Sequence, residues 1–351
     1  MAVEQVPSTP VDAANDTLSK RPLYEGSTQY QHWRFSPEQL HKTREVLNTD
    51  AIAAIRSTFE ADSPGSSSDI QFLTYEEEIL LVKLYVTKIT QLCGHFRFPE
   101  EVEATAISYL KRFYLKNTVM DWHPKNVMLT ALFLATKTTN HPISLEAYTS
   151  NIPRTAPSDV LDLEFLVAQS LAFEFAVWHV HRALWGIWLD AQDLPIPVPP
   201  ERLQQAYDSA LQYVGTSRIT DAEFLFTPSQ IALACLSLAD HDLALRWATA
   251  KGVEANMETI EKVAIMVTRD GVVPSVEVVR EIDRRLRLCK NPEKVVGSKA
   301  YIAKLAKVER EAEVKRARKA EEIRKAMEDG DPFGSELNDG ARVIADLDED
   351  D

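Results

Sequence analysis

The stretch from Ile107 to Lys137, ISYLKRFYLKNTVMDWHPKNVMLTALFLATK, reads as two helices joined at Trp122-His123-Pro124. Proline at a first helical position gives up an amide donor that would have no helical partner anyway, so the second helix opens at Pro124 and Lys125. From Val127 to Ala135 that helix runs Val, Met, Leu, Thr, Ala, Leu, Phe, Leu, Ala, which leaves no polar stripe to face water. A helix apolar on every side has to sit at the centre of a bundle. Ala131 and Ala135, four residues apart, keep one face thin enough for a neighbouring helix to approach closely.

The same construction returns about a hundred residues later, where Leu225-Phe226-Thr227-Pro228 leads into Ser229-Gln230-Ile231-Ala232-Leu233-Ala234-Cys235-Leu236-Ser237-Leu238-Ala239. Pro124 aligns with Pro228, Val127 with Ile231, Leu129 with Leu233, Leu134 with Leu238 and Ala135 with Ala239. A period of that length is too long for a solenoid unit and indicates a duplicated globular module. With 351 residues, each of two modules can bury a core without metals or disulfides.

Hydrophobic residues make up 45% of the chain and there are only 11 glycines, which fits a helix-rich fold, and no segment reads as a sheet. The expected class is all-α: two tandem five-helix repeats with extra helices at both ends. There is no run of eighteen apolar residues and no charged start followed by an apolar core, so the chain is expected to be soluble and intracellular rather than membrane-bound or secreted. Cys93, Cys235 and Cys289 are odd in number and far apart, the pattern of reduced core thiols. The formal net charge of -14 argues against a phosphate backbone as the main ligand and towards protein partners.

Residues 1–26, with Pro7, Pro10 and Pro22 among Ser, Thr and Asp, are expected to form a disordered tail. Residues 27–62 hold an N-terminal helix opened by the capping box Ser36-Pro37-Glu38-Gln39, preceded by Tyr30, Trp33 and Phe35, three aromatics that should dock on the second repeat or on a partner. Ser63-Pro64-Gly65-Ser66-Ser67-Ser68 reads as a flexible linker. The first repeat spans 71–178, with helices near 75–93, 99–117, 124–138, 144–151 and 158–173. The second spans 179–273, with helices near 180–191, 200–215, 228–240, 242–250 and 256–269. The prolines from Pro195 to Pro200 form a stiff connection. A helix over 274–290 follows, then a charged helix over 291–328 whose apolar positions are mostly alanines, and an acidic tail over 329–351.

Motifs for chemistry are scarce. Neither GxGxxG nor GxxxxGK[ST] occurs. His179 and His181 lie two apart, a spacing that on a helix turns the rings away from each other and does not suit a shared metal. Cys93 and His95 have no supporting Asn or Asp, so no catalytic residue, metal ligand or cofactor is assigned. Two charges stand against their surroundings: Lys137, which ends the all-apolar helix where its dipole favours a cation by about 0.3–1 kcal/mol, and Glu164, which interrupts Val160-Leu161-Asp162-Leu163-Glu164-Phe165-Leu166-Val167.

Two five-helix repeats carrying LKRFYLKNTVMDWHP into MLTALFLATK, and TPSQIALACLSLA in the second, resemble the cyclin boxes of the cyclin family, with the strongest likeness to cyclins of the H type. Tyr30-Gln31-His32-Trp33-Arg34-Phe35 before the N-terminal helix belongs to that likeness, which covers about 27 to 290. The resemblance implies a non-catalytic subunit that binds and activates a cyclin-dependent kinase in the CDK-activating complex. It also implies a RING-finger assembly factor and TFIIH as partners, a nuclear location, and support for phosphorylation of cell-cycle kinases and of the RNA polymerase II C-terminal domain. It places kinase contacts on Lys137 at the end of the third helix, Glu164 on the fifth, and Phe173 and Phe175 just beyond. Thr138-Thr139-Asn140 departs from the acidic residues that usually follow the lysine. Glu78-Ile79-Leu80-Leu81-Val82 lacks the Met-Arg-x-x-Leu and Trp pattern by which cell-cycle cyclins dock substrates, so recruitment through that patch is not expected. Alternatives are another transcriptional cyclin, such as one of the C type, or a TFIIB-like DNA-binding core, against which the missing zinc ribbon and the net acidity both count.

Overall fold

The computed structural model describes residues 22–328. Most of the expected N-terminal tail, up to residue 21, and the acidic tail from 329 lie outside the described residues. In chain order the helices are α1 Thr28–His32, α2 Pro37–Asp62, α3 Tyr75–Phe96, α4 Glu100–Phe113, α5 Pro124–Thr138, α6 Leu145–Ser150, α7 Ser158–Leu161, α8 Glu164–Ser170, α9 Val180–Ala191, α10 Pro200–Ser217, α11 Ala222–Leu225, α12 Pro228–Ala239, α13 His241–Ala250, α14 Met257–Asp270, α15 Val276–Cys289 and α16 Lys299–Glu328. Among the described residues there is no β-strand.

Each repeat is built around its proline-opened helix. In α5 the His123 ring accepts from Lys125 N at 3.1 Å, Pro124 takes the first helical position, and every residue from Val127 to Thr136 is buried. Around it pack α3, α4, α7 and α8. In α12 the capping box closes from both sides, Gln230 N donating to Thr227 Oγ1 at 3.3 Å and Thr227 N to Gln230 Oε1 at 2.9 Å. Ile231 to Leu236 are buried against α9, α10, α13 and α14. Ala131, Ala135, Ala232 and Ala234 are fully buried, and their small side chains let the neighbouring helices come close.

The helix expected over 158–173 is two short helices, α7 and α8, and a side chain from α5 bonds to the carbonyl that would have bridged them. Thr130 Oγ1, on α5, donates to Val160 O at 3.0 Å, the acceptor that the amide of residue 164 would use in a continuous helix. Glu164 therefore stands in the first turn of a new helix, where the positive end of the dipole favours a carboxylate.

The segment ahead of α2 is more ordered than the sequence suggests. Leu23–Gly26 form a 3-10 turn, and Ser27 caps α1 by accepting from Tyr30 N at 3.2 Å. The aromatics dock on both repeats rather than the second alone: Trp33 and Leu40 form one buried cluster with Leu115 and Phe224. Phe35 N donates to Phe224 O at 2.9 Å. Further along α2, Arg44 pairs with Asp221 through two bonds of 2.7 Å. Asn48 donates to Glu78 Oε1 at 2.6 Å, and the other Glu78 oxygen accepts from Thr118 Oγ1 and Val119 N. Burial of this carboxyl raises its pKa despite those bonds. The α3 face of Glu78 and Val82 is thus occupied by α2, leaving a cavity of about 50 Å³ lined by Arg44, Leu47, Asn48, Lys83 and Lys111.

By their contacts the described residues divide into two units, 22–49 with 73–284, and 50–72 with 285–328. Both repeats belong to the first unit. In the second, the serine-rich stretch expected as a flexible linker is a folded turn around one carboxylate: Glu60 accepts from Gly65 N at 2.5 Å, from Ser67 N at 3.0 Å and from the Ser67 hydroxyl. Gly65, at φ 81°, supplies the left-handed residue that the turn needs. Helix α16 exposes Ile302, Leu305 and Val314, as expected of a charged helix with little to bury.

Candidate functional site

At the end of α5 the Lys137 ammonium donates to Glu164 Oε1 and lies 4.7 Å from the centre of the Phe133 ring. The two charges that the sequence marked as outliers are therefore partners, drawn together by the break between α7 and α8. Their side chains are 40% and 24% exposed, so the pair sits at the surface rather than under it.

An apolar band flanks this pair. Leu161, Phe165 and Phe173 are 47%, 69% and 55% exposed. The Phe165 and Phe173 rings are 6.1 Å apart and the Phe173 and Phe175 rings 6.2 Å, both edge to face. Phe175 is less available than Phe173, being half-buried beside the Tyr109 ring at 6.1 Å. Sequence reasoning missed Leu161 and Phe165. The only signal was their spacing of four residues, masked by a segment apolar in almost every position.

Two left-handed residues shape the turn that carries Phe173. Ala172 has φ 51° and Phe173 φ 57°, a region that β-carbon-bearing residues enter only when the surroundings hold them. Phe173 N donates to Ala168 O at 2.9 Å and Ala172 N to Gln169 O at 2.8 Å, ending α8 in a tight reverse turn. Tyr109 OH donates to Phe175 O at 2.7 Å and sits 3.0 Å from Thr138 Oγ1. Burial pushes that hydroxyl up to about 12, so it remains a donor. Thr138, next to Lys137 and the first of the three residues that depart from the usual acidic pattern, is thus tied to the turn that carries the aromatic rings.

The remaining candidates carry no comparable constellation. His179 precedes α9 in extended backbone, so His179 and His181 do share a side, their rings stacked at 5.0 Å; the expectation that they turn apart placed both on a helix, which begins only after His179. No group of three or more His, Cys, Asp or Glu able to hold a metal occurs among the described residues. Burial pushes the Cys93 thiol up to about 12, the state of a core residue rather than a nucleophile.

Residues 73–176 match the family described as the cyclin N-terminal domain, and 179–307 the cyclin C-terminal domain. Cyclin-H of Xenopus laevis is 32% identical over 223 residues, covering 61% of this chain and 67% of its own length. In the CAK complex of Chaetomium thermophilum bound to ATP-γ-S, one chain superposes with a TM-score of 0.73 at 33% identity, with 83% of this chain and 94% of that chain covered. In the yeast TFIIK complex (Kin28/Ccl1/Tfb3), one chain gives 0.59 at 31% identity, with 70% and 100% covered. The chain belongs to the cyclin family, and within it to the cyclin H group.

Proposed function

We propose that this chain is the regulatory subunit of a cyclin-dependent kinase of the CDK-activating type, without catalytic activity of its own. The observation that carries the proposal is the exposed band on the first repeat, Leu161, Phe165 and Phe173 beside the Lys137–Glu164 pair, on a chain whose relatives in solved structures belong to the CAK and TFIIK complexes. An exposed set of large apolar rings around a polar pair is the composition of an interface core: the rings supply desolvated area and the charges fix orientation.

On this reading the surface seats against the kinase's mobile helix. Binding only the arrangement in which the kinase's lysine–glutamate pair and activation loop are productive shifts the kinase population towards that state. Lys137 and Glu164 exchange their mutual contact for kinase groups, while Phe173 and Phe175 fill apolar positions beside them. The proposal extends to two further partners, a RING-finger assembly factor and TFIIH, and to a nuclear location.

The test is direct. The purified chain is assayed for phosphotransfer alone and with a cyclin-dependent kinase, and tagged chain is recovered from cells for mass spectrometry of its partners. Activation of the kinase together with co-recovery of kinase and assembly factor is the expected outcome. Phosphotransfer by the chain alone that survives rigorous purification, or recovery without any kinase, overturns it.

A further inference from the structure

Between Phe173 and Trp178 the chain leaves the first repeat, and the segment ahead of α2 grips it there. Trp33 Nε1 donates to Glu174 Oε2 at 2.7 Å, and His32 Nδ1 lies 2.5 Å from Glu174 Oε1. Trp178 N donates to Gln29 Oε1 at 2.7 Å, and the Tyr24 ring meets the Trp178 ring edge to face at 5.7 Å. Trp33 and Gln29 are each only 3% exposed, so this grip is part of the packed structure and not a surface accident. From beneath, Arg112 Nη1 donates to the Glu174 carbonyl at 3.4 Å while its guanidinium lies 5.1 Å from the centre of the Trp33 ring.

The placement of Glu174 gives the grip a purpose. It stands between Phe173 and Phe175, its side chain 15% exposed where that of Phe173 is turned to solvent. The backbone just before it is in the left-handed region at two consecutive residues, a strained conformation that persists only if the surroundings enforce it. Drawing the Glu174 carboxylate inward onto Trp33 and His32 holds the turn closed and leaves the Phe173 ring facing out.

We infer that Glu174 is a positioning residue for kinase binding: residues 24–33 form a clasp on its carboxylate and on the Trp178 backbone, and that clasp fixes the presentation of Phe173 and Phe175. The inference rests on reading those two rings as part of the kinase surface. It differs from a contact role because Glu174 acts through the turn it anchors, and the Trp33 bond needs an acceptor rather than a negative charge. Glu174→Gln keeps an oxygen for Trp33 Nε1, whereas Glu174→Ala leaves that buried donor without a partner.

The full chain is tested with a purified cyclin-dependent kinase. Affinity is measured alongside amide hydrogen exchange over residues 172–177 in the free chain, for Glu174→Ala, Glu174→Gln, Trp33→Phe and, as control on the parent reading, Phe173→Ala. Glu174→Ala is expected to weaken binding about tenfold and to speed exchange in that turn, with Glu174→Gln recovering affinity to within about threefold of the parent chain. Trp33→Phe, which deletes the donor and keeps a ring in the core, should move both readouts in the same direction even if Glu174→Ala fails to fold. If Phe173→Ala weakens binding but Glu174→Ala and Trp33→Phe change neither affinity nor exchange, the clasp is overturned and the kinase surface stands. If Phe173→Ala itself leaves affinity intact, the surface has been placed wrongly and the inference falls with it.

Discussion

Lys137 and Glu164 satisfy each other in the free chain, and their exposure decides how much that matters. A pair exposed to this degree contributes about 0–1 kcal/mol to the fold, whereas truncating a charge whose partner stays buried in a complex costs about 2–5 kcal/mol of binding. Lys137→Ala and Glu164→Ala should therefore leave the melting temperature nearly unchanged while lowering kinase affinity at least about tenfold; calorimetry on the variants checks both, and unfolding of the free chain would count against the assignment. His179 provides a different reading of the fold. It is 7% exposed, its Nε2 is 3.4 Å from Thr105 Oγ1, and its ring stacks on His181 with Arg182 and Arg218 nearby. Burial, with these cations adding to it, pushes its pKa down from 6.5 to about 3. In that window the unfolded chain binds the proton and the folded chain does not, so the contribution is intact above pH 6.5 and is lost as pH falls towards 3. By pH 5 the loss from this group is about 2 kcal/mol. Thermal melts of His179→Phe should show a shallower decline between pH 7 and pH 5 than the parent chain; an identical decline would show that this imidazole does not titrate as its burial requires.

At the scale of single helices, what could be read from the chain was whatever a helix states within its own residues. Pro124 and Pro228 mark two helix starts, the apolar runs behind them mark the two centres, and Ser36 with Gln39 spells a cap that forms as spaced. Thr227→Ala should lower stability by about 1 kcal/mol, since the amide of Gln230 loses its acceptor and the proline leaves no alternative cap; chemical denaturation measures it. What could not be read were events between distant residues. At the break in the expected 158–173 helix, Thr130 reaches Val160 from another helix. The serine-rich turn depends on Glu60, ahead of it in sequence. Of the proposed kinase surface, the two charges were legible because they interrupt apolar runs. Leu161 and Phe165 were hidden because apolar residues on every side give no period from which to tell the solvent face. The clasp was invisible for a stronger reason: His32 and Glu174 are 142 residues apart, and only the fold brings them together.

For the whole molecule, the two repeats are bound to each other by charge as well as by core. Arg218, at the end of α10, donates to Glu100 at 2.5 Å and to Glu103 at 3.1 Å, and Lys111 reaches Thr220 O at 2.5 Å. Basic groups at this junction are thereby committed to carboxylates and carbonyls inside the protein. Their commitment, with a formal net charge of -14, bears on the reading in which paired cyclin folds grip a duplex. A duplex-binding surface releases counterions in proportion to the phosphates it neutralises, and its affinity falls with salt at a slope of about -0.9 per phosphate. The strongest local exception is α16, where Lys315, Arg316, Arg318 and Lys319 fall within five residues, but Glu309, Glu311, Glu313, Glu321 and Glu322 surround them and Arg318 pairs with Glu322 at 3.0 Å. Binding to duplex DNA should accordingly be weaker than about 10 μM at physiological ionic strength, with a slope corresponding to only one or two phosphates. Titration of labelled duplex at two salt concentrations checks this. Submicromolar affinity with a slope of several phosphates would instead assign the basic surface of this chain to a nucleic acid and reopen the comparison with a DNA-binding core.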